Sequence, residues 1–164
     1  MLPTEALLEI SSTWSEITLP PGAVLFDEGG DDGRLAVLVA GSLSVRRGDE
    51  EFATIVDPGA CIGEIALLLD RAHGATVVST ADSRVRVLDD ARSRMATDAA
   101  LLRPVASILA SRLQLVNGYL ADLRHQYADS GHGLGMVSTV LGSLAAHSGV
   151  PVDTGSEREP DAPY

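Results

Sequence analysis

Short segments rich in Val, Ile and Leu, separated by turn signals, constrain the possible folds of this chain more than any other feature. Two of them, 42–46 and 84–87, alternate apolar and polar residues, so each has one buried and one wet face. Glycine, aspartate and proline mark the breaks between segments. Such spacing predicts an antiparallel barrel or sandwich and not a doubly wound parallel sheet. The predicted strands are 23–28, 34–40, 42–47, 52–56, 75–80 and 83–89.

A helical pattern replaces the strand pattern after Asp89. Apolar or small residues recur in alternating steps of four and three from Leu102 to Tyr127, which is a heptad seam. The seam predicts a long helix, 102–127, that pairs with a second copy of the chain to form a homodimer; the alternative is a helix packed on its own sheets. Because proline suits a first helical turn, Pro104 leaves the start open between Ala99 and Pro104.

The two ends have a different character. Residues 1–22 form a predicted helical lead-in, with a helix over 4–11 that has Thr4 as N-cap and Leu7, Leu8 and Ile10 facing inward. Residues 23–127 hold the strands and the long helix. Residues 128–164 form an acidic tail rich in glycine and proline, predicted to be flexible. Within it, 134–144 is compatible with a short helix that docks a partner, straps its own domain, or has no stable structure.

Composition excludes several classes of function. The net charge is −11, and all 12 basic residues are arginine. Such a chain repels nucleic acid and anionic lipid, so we expect no DNA binding in cis and no membrane binding, and an anionic ligand needs a local pocket. A single cysteine and no basic leader predict a cytoplasmic protein. No apolar run approaches the roughly 20 residues of a membrane span.

No catalytic or metal-binding pattern accompanies these segments. The four histidines lack metal-ligand spacing, and there is no Ser-His-Asp, Cys-His or paired-carboxylate arrangement. We therefore expect no catalytic residues, no metal and no enzyme activity.

One stretch has the character of a binding site. In GEIALLLDRAHGATV, residues 63–77, a glycine-glutamate pair opens a short apolar helix among strands. The free amides of a first helical turn suit a phosphate, so the glutamate must point elsewhere, for which sugar hydroxyls are natural partners. A basic side chain about ten residues further on would then close over the phosphate.

The segment 57–89 resembles the phosphate-binding cassette of the cyclic nucleotide-binding domain, the family of catabolite activator proteins and cyclic-AMP-dependent kinase regulatory subunits. Turn glycines at Gly22, Gly29, Gly41 and Gly59 extend the resemblance over residues 5–127. It implies an α+β fold, namely an antiparallel β-roll (jelly-roll-like barrel) with a short cassette helix and a long C-terminal helix. It also implies cyclic AMP or cyclic GMP as ligand, with no cofactor required.

The resemblance assigns roles within the cassette. Glu64 would accept a hydrogen bond from the ribose 2′-hydroxyl, and the amides of Ala66 and Gly74 would face the phosphate. His73 stands where the family has a phosphate-binding arginine, and losing that charge-assisted bond would weaken binding about ten- to two-hundredfold. The predicted binding residues are Gly63, Glu64, Ile65, Ala66, Arg71, His73, Gly74 and Ala75.

Three interpretations of His73 remain open at this point. The site binds a cyclic mononucleotide weakly, or with Arg71 as the substitute cation. Alternatively, the cassette has lost its ligand and Glu64 is satisfied by backbone amides or Arg71. In the third interpretation the pocket takes another anion, such as a cyclic dinucleotide.

Two functions follow from these interpretations. The first is a stand-alone dimeric sensor in which ligand binding moves helix 102–127 and changes the contact with a protein partner. The second is a ligand-free interaction module with the same roll. A helix-turn-helix segment with a basic recognition helix is not expected, since the sequence after the long helix is acidic and glycine-rich.

Overall fold

The computed structural model describes residues 1–126, which form two antiparallel sheets and four α-helices. The helices are α1 (Pro3–Ile10), α2 (Glu64–Leu68), α3 (Ala91–Thr97) and α4 (Ala99–Gln126), and a 3₁₀ turn spans Ser11–Thr13. The strands are β1 (Ser15–Leu19), β2 (Val24–Phe26), β3 (Leu35–Ala40), β4 (Leu43–Arg47), β5 (Glu50–Ile55), β6 (Cys61–Ile62), β7 (Thr76–Ser79) and β8 (Ser83–Leu88).

Each sheet has four strands. The first has the order β1-β8-β3-β6 and the second the order β2-β7-β4-β5. The strands of both sheets pair antiparallel. This confirms the predicted β-roll with a short cassette helix and a long C-terminal helix, but as two sheets and not a closed barrel.

The alternation of β3 divides the interior into two cores. Ala36 and Leu38 point into a cluster between the sheets, together with Phe26, Leu43 and other side chains. Leu35 and Val37, on the opposite face, pack into a second cluster with residues of α1, α3 and α4. Because β3 is buried on both faces, it reads as a continuous apolar run.

Sequence reasoning missed three elements. Strand β1 lies inside the predicted helical lead-in and pairs with β8 over Ser15↔Val87 to Leu19↔Ser83. Strand β6 has two residues, and α3 follows β8 directly. Elements this short carry too little periodicity to be recognised without their partners.

The N-terminal helix forms as predicted, but its cap differs. Leu2, and not Thr4, is the N-cap, and its backbone amide donates to the Glu5 carboxylate at 2.8 Å. Leu7 is fully buried, and Leu8 and Ile10 pack against the second core. Thr4 lies within the helix.

Helix α4 begins at Ala99, at the early end of the predicted range. The carboxylate of Asp98 accepts from the amides of Ala100 (3.0 Å) and Leu101 (3.3 Å) and so caps the helix. Leu101, Val105 and Ile108 are buried in the second core. The seam residues Leu102 and Leu109 are partly buried and pack against the same core, so the first part of the seam belongs to the packed face.

By length and composition, Ala99–His125 is a candidate membrane span, contrary to the expectation from sequence. This is weak evidence, because core helices of soluble proteins meet the same criteria. Leu101 and Val105 of this helix are buried in the second core.

The contact pattern divides the chain after Arg112, with one unit at Met1–Arg112 and the other beginning at Leu113. The site described below lies wholly in the first unit. The predicted tail 128–164, with its 134–144 segment, lies outside the described residues.

Candidate functional site

The cassette begins at a glycine that no other residue could replace without strain. Gly63 follows β6 with φ +93°, in the left-handed region. A Cβ atom added there would lie 2.9 Å from the carbonyl oxygen of Arg34 and 3.3 Å from the Phe26 ring. The tight turn lets α2 start immediately, with Glu64 in its first position.

Glu64 is a buried carboxylate with one strong partner. Its side chain is 4% exposed, and Oε1 accepts a hydrogen bond from Nη1 of Arg112 at 2.7 Å. Burial raises the pKa of Glu64, and the Arg112 guanidinium opposes that rise. Arg112 also approaches the carbonyl of Cys61 at 3.4 Å. One ion pair therefore ties the cassette to helix α4.

The identity of this partner differs from expectation. In the ligand-free interpretation, sequence reasoning assigned Glu64 to backbone amides or to Arg71, whereas the structure assigns it to Arg112. The sequence offered one weak signal, since Arg112 lies off the heptad seam of α4. Nothing in the sequence aimed it at a residue 48 positions earlier.

His73 is engaged by the protein itself. Its ring is 7% exposed and stacks on Phe26 with a centroid distance of 4.4 Å. Nε2 lies 3.1 Å from Oδ1 of Asp32. Because a carboxylate can only accept, Nε2 carries the proton in this contact. The ring that occupies the arginine's slot is thus held against the loop before β3.

That loop fastens the end of the cassette. The backbone N–H of His73 donates to Gly30 (2.8 Å), and the N–H of Gly29 donates to His73 (2.8 Å). Asp32 is itself held by Arg34, whose Nη2 lies 2.6 Å from Oδ2. Burial acts to raise the pKa of Asp32, but hydrogen bonds from Arg34 and His73 outweigh it, and the pKa lies below its usual value. From sequence, residues 29–33 (GGDDG) indicate only a break between two strands.

The other predicted site residues lie along the same cassette. Ala66 is buried, and its carbonyl accepts from the Arg71 amide at 3.0 Å. The Arg71 side chain is exposed and makes no hydrogen bond or ion pair within residues 1–126. Ile65 is exposed and Ala75 half-buried. Gly74 is exposed, and its carbonyl oxygen accepts a hydrogen bond from Nε of Arg47 at 3.3 Å. Arg47 was not among the binding residues predicted from the sequence.

Metal binding and thiol chemistry depend on side chains that can be placed within the described part of the chain. Within residues 1–126, no group of three His, Cys, Asp or Glu side chains is placed to hold a metal ion. Cys61 is buried, and burial raises the pKa of its thiol well above the usual value. The thiol is therefore neutral and not a nucleophile in this environment.

A family model described as the cyclic nucleotide-binding domain matches residues 16–96. The chain contains a cyclic nucleotide-binding domain. The match begins at β1 and ends in α3, so it covers both sheets and the cassette with its Glu64 and His73. The resemblance inferred from the cassette residues is confirmed.

The domain is similar to regulators of known kinds. It is 27% identical over 124 residues to the CRP-like cAMP-activated global transcriptional regulator of Mycobacterium tuberculosis. That alignment covers 72% of this chain and 55% of the regulator, so the chain spans about half the length of these curated relatives.

Solved structures share the fold. The catabolite activator protein of Thermus thermophilus superposes with a TM-score of 0.58 at 20% identity, over 88% of this chain and 87% of that one. The regulatory subunit of a cAMP-independent protein kinase A from Trypanosoma brucei superposes with a TM-score of 0.50 at 25% identity. That second comparison covers 61% of this chain and 35% of the subunit.

Proposed function

We propose that this cyclic nucleotide-binding domain is a regulatory sensor of a cyclic mononucleotide. The observation that carries the proposal is the Glu64–Arg112 ion pair. The carboxylate that the resemblance assigns to the ribose is present, buried and held by a guanidinium of helix α4 at 2.7 Å. A hydroxyl arriving at Glu64 changes the environment of Arg112, and so ligand binding is coupled to the helix.

Such coupling requires the ligand to prefer one arrangement of the helix over another. In the proposed mechanism, a ribose hydroxyl donates to Glu64 and either shares the carboxylate with Arg112 or displaces it. Part of the binding free energy then depends on where Arg112 lies. In this proposal the chain forms a homodimer through helix 102–127. Ligand binding then changes the contact between α4 and a cytoplasmic protein partner.

Titration calorimetry of the full chain with cyclic AMP and cyclic GMP tests this function. We expect micromolar or tighter binding of one of them, and at least about tenfold weaker binding by Glu64→Gln. The matched control is Glu50→Gln, an exposed acid on β5. The 2′-deoxy nucleotide should bind wild type more weakly and should lose nothing further with Glu64→Gln, because the two changes remove the same hydrogen bond.

A second candidate function is a ligand-free interaction module. One contact favours it, namely Asp32 on His73, since the side chain in the arginine's slot already has a protein partner. No binding of either nucleotide up to about 1 mM would reject the sensor and leave the module.

A further inference from the structure

No guanidinium of the cassette is held at the proposed phosphate site by a hydrogen bond or ion pair within residues 1–126. His73, in the arginine's slot, stacks on Phe26 and bonds to Asp32. Arg71 is exposed, and no hydrogen bond or ion pair with residues 1–126 fixes the position of its side chain. Arg112 is committed to Glu64. A guanidinium already held beside Gly74 must therefore come from another element.

Strand β4 brings one to this point. Leu43 and Val45 point into the core between the sheets, and alternation places Arg47 on that same inner face at the end of the strand. The neighbouring Arg46 lies on the other face, where its Nε donates to Ser44. Because Arg46 pairs with Thr76 on β7, Arg47 lies next to the residues that lead out of the cassette.

The contact itself is direct. Nε of Arg47 donates to the carbonyl oxygen of Gly74 at 3.3 Å. A Cβ atom added to Gly74 would find nothing within 4 Å except Nη2 of Arg47, at 3.9 Å. The missing side chain of Gly74 and the guanidinium thus face the same open space.

Arg47 has donors to spare for a ligand. Within residues 1–126 it makes no ion pair, and the hydrogen bond to Gly74 uses one of its five N–H groups. The Phe52 ring lies 5.9 Å from the guanidinium carbon and limits where the side chain can swing. The remaining N–H groups can give two parallel bonds to a phosphate.

We propose that Arg47, from β4, supplies the cationic contact to the phosphate of the bound nucleotide in place of the arginine that His73 replaces. This inference rests on the proposed function, since it assumes an anionic nucleotide at Gly74. The side chain that binds the phosphate then comes from strand β4 and not from the cassette. The ligand class is a cyclic nucleotide monophosphate, held by Glu64 at the sugar and by Arg47 at the phosphate.

The test compares variants of the full chain by calorimetry with the cyclic nucleotide that wild type binds. Arg47→Gln should weaken binding about tenfold or more, with an unchanged thermal midpoint. Arg47→Lys, which keeps the charge but not the paired donors, should recover part of the loss. Arg46→Gln is the matched control on the opposite face and should bind like wild type. Arg71→Gln tests the competing cation and should also bind like wild type.

Phosphorus NMR of the bound nucleotide gives a second readout that a structural role of Arg47 would not produce. The phosphorus shift should change with Arg47→Lys and stay constant with Arg46→Gln. If Arg47→Gln and wild type bind equally, or if Arg71→Gln alone loses affinity, the inference is overturned and the sensor function stands. If wild type binds neither cyclic nucleotide, the proposed function fails and the role of Arg47 falls with it.

Discussion

At the scale of single residues, the site is organised by two carboxylates in opposite electrostatic situations. Glu64 lies in the interior, where burial raises its pKa and Arg112 limits the rise. Asp32 lies nearer the surface, where Arg34 and His73 bring its pKa below the usual value despite partial burial. Removing the cationic partner of Glu64 should lower the free energy of unfolding more than removing the Asp32 carboxylate. Water can replace a lost partner near the surface but not in the interior.

Arg112→Gln should destabilise the domain by about 1–3 kcal/mol at neutral pH, since it leaves a buried carboxylate without its cation. A raised pKa in the folded state means that Glu64 favours folding at low pH and that this contribution is lost as the pH rises through that pKa. The deficit should therefore shrink near about pH 4, where Glu64 is protonated. Urea unfolding at both pH values measures it.

Arg103→Gln is the control for this prediction, since Arg103 is exposed on the same helix. Equal losses in the two variants, or a deficit that does not depend on pH, would show that the ion pair contributes nothing specific.

Asp32→Asn should cost about 0.5–1 kcal/mol at neutral pH, a small value because Asp32 and Arg34 are each about one-third exposed. A lowered pKa in the folded state gives stability that is present above the unfolded pKa and lost as the pH falls through the folded one. Thermal unfolding from about pH 7 to about pH 3 should show the variant and wild type converging in acid. Asp31→Asn, whose pair with Arg92 lies at the surface, is the control. Curves that stay parallel would contradict this account.

At the scale of elements, glycines set how closely helices approach the sheets. Gly59, in the turn before β6, has φ +86°, and a Cβ atom there would overlap the carbonyl of Thr4 in α1. Gly22 has the same φ of +86°, but open space surrounds it. The two positions separate backbone strain from steric overlap, because a substitution at either one meets the same strain.

Gly22→Ala should cost about 1 kcal/mol, from the left-handed backbone alone. Gly59→Ala should cost at least about 2 kcal/mol more, because α1 must move away from the turn and expose Leu7, which is fully buried. Chemical denaturation of the two variants and wild type measures the difference. Similar losses at the two glycines would mean that α1 tolerates the shift.

At the scale of the whole molecule, the later part of α4 bears on assembly. Leu113 and Val116, on the predicted seam, are 48% and 50% exposed, and Leu115, off the seam, is 75% exposed. Large apolar side chains with this exposure favour an association surface, and the heptad spacing favours a second copy of the same helix. The homodimer remains a prediction.

Val116→Glu should convert the predicted dimer to a monomer, because it places a charge in the seam of each helix. Leu115→Glu should leave the dimer intact, although it removes a more exposed leucine. Sedimentation velocity of the full chain at several concentrations distinguishes the two species. A monomeric wild type, or equal dissociation by both variants, would reject the seam as the dimer interface.

Much of this fold could be predicted from local sequence patterns. Alternation within 42–46 and 84–87 and turn signals after each segment were enough to predict six of the eight described strands, and heptad spacing predicted α4. The ordered glycines and the Gly63-Glu64 pair carried the resemblance through which the cassette was identified. These features are readable because each depends on the backbone conformation of a few neighbouring residues.

The partners of the site residues were decided by tertiary structure. Arg112 meets Glu64 from 48 positions away, and Asp32 meets His73 from 41 positions away. Arg47 reaches Gly74 across the β4–β7 pairing, and β1 is defined by its pairing with β8. The sequence determines which side chains can donate or accept a hydrogen bond. The tertiary structure determines which of them meet, because it brings distant residues together and sets the distance and burial on which the strength of each contact depends.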